Sequence, residues 1–367
     1  MNRARHPALG FDVTEFPCGV IEGFYGRAWS WSARREAVRF LSHQGLDTYV
    51  YAPKSDRQLR RAWRELHDTS DFDALLALRA TCREQGIRFG IGFSPWGLQN
   101  AYTASDRAAL RRKFEHINQL DCDLLCILFD DMPGAIADLA SRQAAIVEDI
   151  QAFSNARRFA MCPTYYSFDP QLERLFGPMP HDYLETLGAS LQPRVDVFWT
   201  GSLVLAPGFS RADIEPVAAR IGRKPLLWDN YPVNDGRKIS RFLHLLPVRN
   251  RPARLRDWCA GHLANPMNQP LLSQLPLASL AHSYRSGDAY DPEHFWRTEI
   301  ASLVGSELAV LLQRDVARFQ HEGLDRLDVR ERAALRVDYE RVAHPAAREV
   351  IDWLEEFYQF DPECLND

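Results

Sequence analysis

A chain of 367 residues with 46% hydrophobic and 25% charged side chains can bury a full core and stay soluble, and a barrel of alternating strands and helices uses most of that length. The formal net charge of −5, with no polybasic run beside it, excludes a general nucleic-acid binder. No apolar run approaches the roughly 20 residues that span a bilayer, so no membrane partner is expected.

The opening "MNRARHPALGFDV" carries basic residues with no apolar stretch behind them, so residues 1–16 are expected to be a lead and not a secretory signal. From Pro17 to about Asp288, β-rich segments alternate with amphipathic stretches of helical length. Strands are predicted in "CGVIEG", "TYVYAP", "IRFGIGF", "LLCILFDD", "RFAMCPT", "VDVFWTG" and "PLLWDN", with a weaker eighth in "DWCAGHLANP". Helices are predicted in "SARREAVRFLSHQG", "DFDALLALRATCREQG", "SDRAALRRKFEHINQL" and "RADIEPVAARIG". Ser210, with Asp213 three residues on, is a start signal, and Gly86 and Gly222 are stop signals. The cluster "RQLRRAWRE" reads as the solvated face of a helix.

Strands this apolar, each followed by a helix, are buried on both faces and therefore parallel. Seven or eight such units indicate a (β/α)8 TIM barrel over residues 17–288. A doubly wound open sheet is the alternative, but no G-x-G-x-x-G follows the first strand. Past Asp288 the pattern becomes purely helical, in "PEHFWRTEIASLVGSELAVLLQRDVARFQ", "DVRERAALRVDYERVA" and "AAREVIDWLEEFYQF". Residues 289–367 are thus expected to form a small C-terminal helical bundle packed on the barrel, in which Trp296, Leu312, Trp353 and Phe357 are covered.

Seven cysteines contain no CxxC pair, and Cys122 and Cys126 are too far apart along one strand to bridge. Reduced, buried thiols in a cytoplasmic protein are expected. The histidines lack HExxH or HxH spacing, so neither a metal site nor a cofactor is expected.

In a parallel barrel, chemistry collects at the C-terminal ends of the strands. Those ends are polar here: Glu22 and Tyr25, Lys54, Ser94 and Trp96, Asp130 and Asp131, Tyr165 and Tyr166, Trp199 and Thr200, Asp229, Asn230 and Asp235, and Asn265. Singly, each has a plainer explanation as an N-cap, a core aromatic or, for Lys54, a surface partner of Asp56. Together on one rim they suit a neutral, polyhydroxylated ligand, because aromatic faces cover sugar C–H surfaces while amides and acids hold hydroxyls.

The segment "CILFDDMPG" runs from apolar strand directly into two aspartates. On a regular strand their side chains would face opposite ways; at the terminus, before Pro133-Gly134, both can reach the barrel mouth. Two carboxylates so close retain one proton between them, giving an acid and an anion in one place. Pairs that flank a glycosidic bond stand roughly 5–9.5 Å apart, whereas neighbouring Cα atoms are about 3.8 Å apart. Adjacency instead suggests both acids on one side of the substrate, with the substrate providing its own nucleophile; two N-cap-like acids at a turn are the plainer alternative. A 2-acetamido group provides such a nucleophile by closing an oxazoline on the anomeric carbon.

The motifs "GVIEGFYGRAW", "YVYAPKSDRQLRRAWRE", "LFDDMPG", "WTG", "WDNYPVND" and "NPM", in that order from Pro17 to the 280s, closely resemble the catalytic domain of family 84 glycoside hydrolases. These β-N-acetylglucosaminidases include protein O-GlcNAcases and some bacterial enzymes called hyaluronidases. By that resemblance Asp130 orients and polarises the acetamido N–H and Asp131 is the general acid/base. Gly23 (through its carbonyl), Lys54, Asp235 and Asn265 hold sugar hydroxyls, and Tyr25 of "EGFYG" borders them. Trp228 is a pocket wall, while Asn230 and Tyr166 stand near the acetamido group. The partner implied is a β-linked N-acetylglucosaminide on a protein or a free glycan. The chain departs from the family with Tyr165 in "PTYY", "GRAW", "PKSD" and Trp96 in "FSPWG"; Tyr165 and Trp96 are expected to alter the region where the aglycone leaves. A non-catalytic glycan-binding barrel or a scaffold are the rival readings, against which stand the intact aspartate pair and the polar rim.

Overall fold

In the computed structural model, residues 16–358 and 360–364 are described. The lead expected over residues 1–16 lies outside them except for Phe16, which packs against Tyr284. Eight strands form one closed parallel barrel in sequence order: β1 Cys18–Glu22, β2 Thr48–Tyr51, β3 Arg88–Phe93, β4 Leu124–Leu128, β5 Arg158–Cys162, β6 Val195–Trp199, β7 Leu226–Asp229 and β8 Gly261–Ala264. Closure comes from β1 against β8, with Gly19 opposite Leu263 and Val20 opposite Ala264. Nearly every strand residue is buried, because side chains fill the barrel on one face and meet the helices on the other.

The weak eighth strand is real, and its composition has a packing cause. A Cβ on Gly261 would stand 2.5 Å from the Leu226 side chain and 2.8 Å from the Pro17 carbonyl oxygen, so a β-branched residue has no room there. Beside it, buried His262 is held between the Asp229 carboxylate at 3.0 Å and the Tyr284 hydroxyl at 2.8 Å.

Local signals set the helix ends. Ser30 caps Trp31–Gln44, and Thr103 and Ser210 form capping boxes with Asp106 and Asp213 on Ala104–Ile117 and Arg211–Ile221. Gly86 and Gly222 take φ of 68° and 67° just past their helices. The "RQLRRAWRE" expectation fails. A 3-10 turn, Arg57–Leu59, replaces the helix, and although Arg61 and Arg64 are exposed, Arg60 is buried. The backbone N–H of Ser94 donates to the Leu59 carbonyl at 2.8 Å and ties this loop to the end of β3.

After β8 and the helix Gln274–Ser286, the chain is helical to Leu354. The first long stretch divides into Pro292–Thr298, Ile300–Val304 and Ser306–Ala317, the last break falling at Gly305 with φ 78°. Trp296, Leu312 and Trp353 are buried, but Phe357 is 56% exposed, so its expected coverage is absent. These helices brace the loops after β7 and β8. Leu243 N–H donates to the Phe319 carbonyl at 3.0 Å, Leu246 N–H to Gln320 at 2.7 Å, and Leu272 N–H to Glu349 at 2.8 Å.

Candidate active site

A pocket opens at the C-terminal ends of the strands. Gly23, Tyr25, Lys54, Asp130, Asp131, Tyr166, Trp228, Asn230, Asp235 and Asn265 all line it. The barrel thus brings together ten positions spread over more than two hundred residues of chain. Among the described residues no cluster of three side chains of metal-ligating type occurs.

The aspartates follow β4 by two residues. Phe129 N–H still donates to the Cys162 carbonyl at 2.9 Å, continuing the ladder toward β5. Asp131 then adopts φ 59°, a left-handed conformation that Asp tolerates better than most residues. That turn breaks the strand's alternation and lets both carboxylates face one pocket. Such a backbone is costly and persists where the surroundings over-determine it.

Asp131 is surrounded by donors. The Tyr25 hydroxyl donates to its Oδ2 at 2.6 Å, the Tyr166 hydroxyl to its Oδ1 at 3.3 Å, and Lys54 Nζ stands 3.9 Å from Oδ2. Burial holds the Asp131 carboxyl above the ordinary carboxylate range; Lys54 opposes that rise, and the neighbouring Asp130 adds to it. Lys54 forms a buried ion pair with Asp130 Oδ2. Burial works against the lysine's charge, yet the two aspartates hold its pKa above the usual value. The simpler pairing of Lys54 with Asp56 does not occur, since Asp56 receives Tyr51 and His67 instead. Oδ1 of Asp130 is buried and has no hydrogen-bond partner among the described residues.

Opposite the aspartates, an amide network fixes one wall. Trp228 Nε1 donates to Asn230 Oδ1 at 3.0 Å, Asn265 Nδ2 donates to the same oxygen at 3.1 Å, and Gly23 N–H donates to Asn265 Oδ1 at 3.2 Å. Asp235 Oδ2 accepts from Tyr25 N–H at 2.8 Å. Burial pushes its carboxyl up to about 6, against the pull of that N–H. Asn268, unremarked in the sequence, accepts from Arg27 N–H and donates to the Tyr25 carbonyl, both at 2.9 Å, so it shapes the loop carrying Gly23 and Tyr25.

Several rim residues point elsewhere. Glu22 is held by Nε and Nη2 of Arg34 and by the Tyr49 hydroxyl, and Asp229 lies in a buried triad with Arg251 and His262. Trp199 is core. Tyr165 is buried, its hydroxyl 2.7 Å from the Gly177 carbonyl, and Trp96 lies under Arg60 and Arg61; neither lines the pocket. Cys162, Thr200, Val204, Leu205, Val233 and Ile239 complete the lining. Apart from Thr200 they carry no polar strand-end signal by which sequence reading finds a sugar site.

A family model described as beta-N-acetylglucosaminidase matches residues 18–315. Protein O-GlcNAcases of Rattus norvegicus and Mus musculus are each 32% identical over an alignment of 284 residues that covers 74% of this chain. The match spans 30% of the length of those curated relatives. A solved structure, a mutant of the Thermobaculum terrenum O-GlcNAc hydrolase, aligns over 94% of this chain and 82% of its own with a TM-score of 0.76 and 28% identity. With a barrel of this topology, two carboxylates in its mouth and a family match over most of its length, the chain belongs to the β-N-acetylglucosaminidase family and is a glycoside hydrolase.

Proposed function

We propose that this protein is a retaining exo-β-N-acetylglucosaminidase that removes O-linked N-acetylglucosamine from proteins through an oxazoline intermediate. The observation that carries the reading is the aspartate pair: one buried carboxylate oxygen of Asp130 has no hydrogen-bond partner among the described residues, while Asp131 beside it sits among hydroxyl donors with a raised pKa. An anion fixed by Lys54 with a free lone pair suits an acetamido N–H. A neighbour that retains its proton suits a leaving oxygen.

In the first step Asp130 accepts a hydrogen bond from the acetamido N–H and makes the carbonyl oxygen more nucleophilic. That oxygen bonds to C1, the glycosidic C–O bond breaks, and Asp131 gives its proton to the departing oxygen. In the second step Asp131 takes a proton from water, whose oxygen bonds to C1 from the face the aglycone left. The oxazoline C–O bond breaks and the sugar is released with retained configuration. Trp228 walls the sugar; Gly23, Asp235, Asn265 and Lys54 hold its hydroxyls; Asn230 and Tyr166 border the acetamido group and Tyr25 serves Asp131. Protein as the natural aglycone-bearing partner rests on the rodent O-GlcNAcases. Seven buried cysteines, none in a disulfide, favour a reducing compartment such as the cytoplasm. No described helix is long and apolar enough to cross a membrane.

The test is a leaving-group series. Asp131→Asn should lose far more activity on methyl β-N-acetylglucosaminide than on a nitrophenyl glycoside, whose phenol departs without protonation. Asp130→Asn should slow both alike. Release of the α-anomer first, or the same leaving-group dependence in both variants, overturns the mechanism.

A further inference from the structure

The Asp131 side chain has two oxygens, and acid catalysis requires the proton on the one that meets the leaving group. The structure contains a device that selects it. Tyr25 Oη lies 2.6 Å from Asp131 Oδ2 and is itself 3.0 Å from Arg60 Nη2. A guanidinium can only donate, and a phenol has a single proton. With Arg60 donating to the phenol oxygen, the Tyr25 proton must point away from Arg60, and Asp131 Oδ2 is its acceptor.

Arg60 is held firmly for this task. Its side chain is 5% exposed and its second nitrogen, Nη1, pairs with Glu363 of the C-terminal segment. Its guanidinium lies 4.5 Å from the ring centroid of Trp96 and 5.4 Å from that of Tyr25. The backbone beneath it is the 3-10 turn tied to the end of β3. Although Arg60 does not line the pocket, it reaches the reacting carboxyl through one intervening hydroxyl.

We infer that Arg60 is a positioning residue for the hydrolysis: by fixing the Tyr25 hydroxyl as a 2.6 Å donor to Asp131 Oδ2, it disfavours a proton there and leaves Oδ1, whose contact with the Tyr166 hydroxyl is the longer one at 3.3 Å, as the seat of the catalytic proton. This rests on Asp131 being the acid/base. The charge of Arg60 also acts on the Asp131 titration, together with every other group around that carboxyl: Lys54, Asp130, Tyr25, Tyr166 and Asp235. Removing a nearby cation raises a carboxyl pKa. A freed Tyr25 hydroxyl, no longer bound to donate, raises it further. Both effects move the basic limb of kcat/KM to higher pH.

The experiment compares Arg60→Met, Arg60→Lys, Tyr25→Phe and the Arg60→Met/Tyr25→Phe double variant on methyl and nitrophenyl β-N-acetylglucosaminides. Arg60→Met should lose about tenfold or more on the methyl glycoside and about twofold on the nitrophenyl one, with the basic limb displaced upward. In the Tyr25→Phe background the same replacement should add little, because the two act in series. Arg60→Lys keeps the charge but not the fork: the limb should move up by less than in Arg60→Met while methyl glycoside turnover still falls, and this variant decides the matter if Arg60→Met does not fold. Equal losses on the two substrates with an unmoved limb, or additive losses in the double variant, overturn the inference. If Asp131→Asn discriminates between leaving groups as expected while the Arg60 variants do not, only this inference falls and the assignment of the acid stands.

Discussion

Gly23→Ala is a one-methyl change whose effect can be worked from the pocket wall. A Cβ on residue 23 would lie 2.3 Å from Trp228 Cζ2 and 2.8 Å from Cη2. Carbon atoms rest at about 3.5–4.0 Å, so the indole must retreat by more than ~1 Å. It is not free to do so: its Nε1 is bonded to Asn230, and Phe198 packs edge-on against it with centroids 5.3 Å apart. Overpacking of this kind costs about 1–3 kcal/mol, which for a chain this size lowers Tm by a few degrees. Because a misplacement of about 1 Å in a catalytic site can cost roughly 100-fold, kcat/KM should fall much more than stability. The assay is nitrophenyl β-N-acetylglucosaminide hydrolysis alongside thermal melts and tryptophan fluorescence. In a Trp228→Phe background the smaller ring removes the clash, and Gly23→Ala should then add little. A Gly23→Ala protein within about twofold of wild-type kcat/KM, with unchanged fluorescence, would refute the reasoning.

Asp235, with its carboxyl pushed up to about 6, is a charged acceptor above that pH and a neutral one below it. An acidic limb in kcat/KM near 6 should therefore vanish in Asp235→Asn, with a loss of roughly tenfold to a hundredfold on the plateau; a limb that survives belongs to another group. Burial pushes Glu349 from an ordinary 4.5 up to about 8. Between those values the folded protein binds more protons than the unfolded chain, so Tm should fall as pH rises from about 5 to about 8 and flatten in Glu349→Gln. Trp353→Ala removes a buried ring packed on Phe319 whose Nε1 donates to the Ser240 carbonyl. A loss of about 3–5 kcal/mol is expected in denaturant titrations, and a loss under about 1 kcal/mol would mean these helices do not brace the β7–β8 loop.

Much of the architecture is legible locally. A run such as "LLCILF" is apolar on both faces because a barrel strand meets side chains inside and helices outside. Composition therefore carries the strand, its direction and its neighbours together. Capping residues mark helix ends for an equally local reason: Ser210 and Asp213 satisfy N–H groups one turn away. The adjacent aspartates were conspicuous because a buried strand has no use for two like charges at its end.

Which polar groups pair is a property of the three-dimensional fold. The rim residues look alike in sequence, yet Glu22 and Asp229 are consumed by Arg34 and Arg251, while Lys54 reaches Asp130, 76 residues away, and not nearby Asp56. Arg60 offered the pattern of a solvated arginine and became the buried partner of Tyr25 and Glu363, the latter 303 residues distant. Phe357 offered the pattern of a covered aromatic and is exposed. Hydrophobic burial is nondirectional and depends on local composition, so sequence periodicity encodes it. A buried charge instead needs a particular atom about 3 Å away, and only the folded arrangement of barrel, loops and C-terminal segment determines which distant residue supplies it.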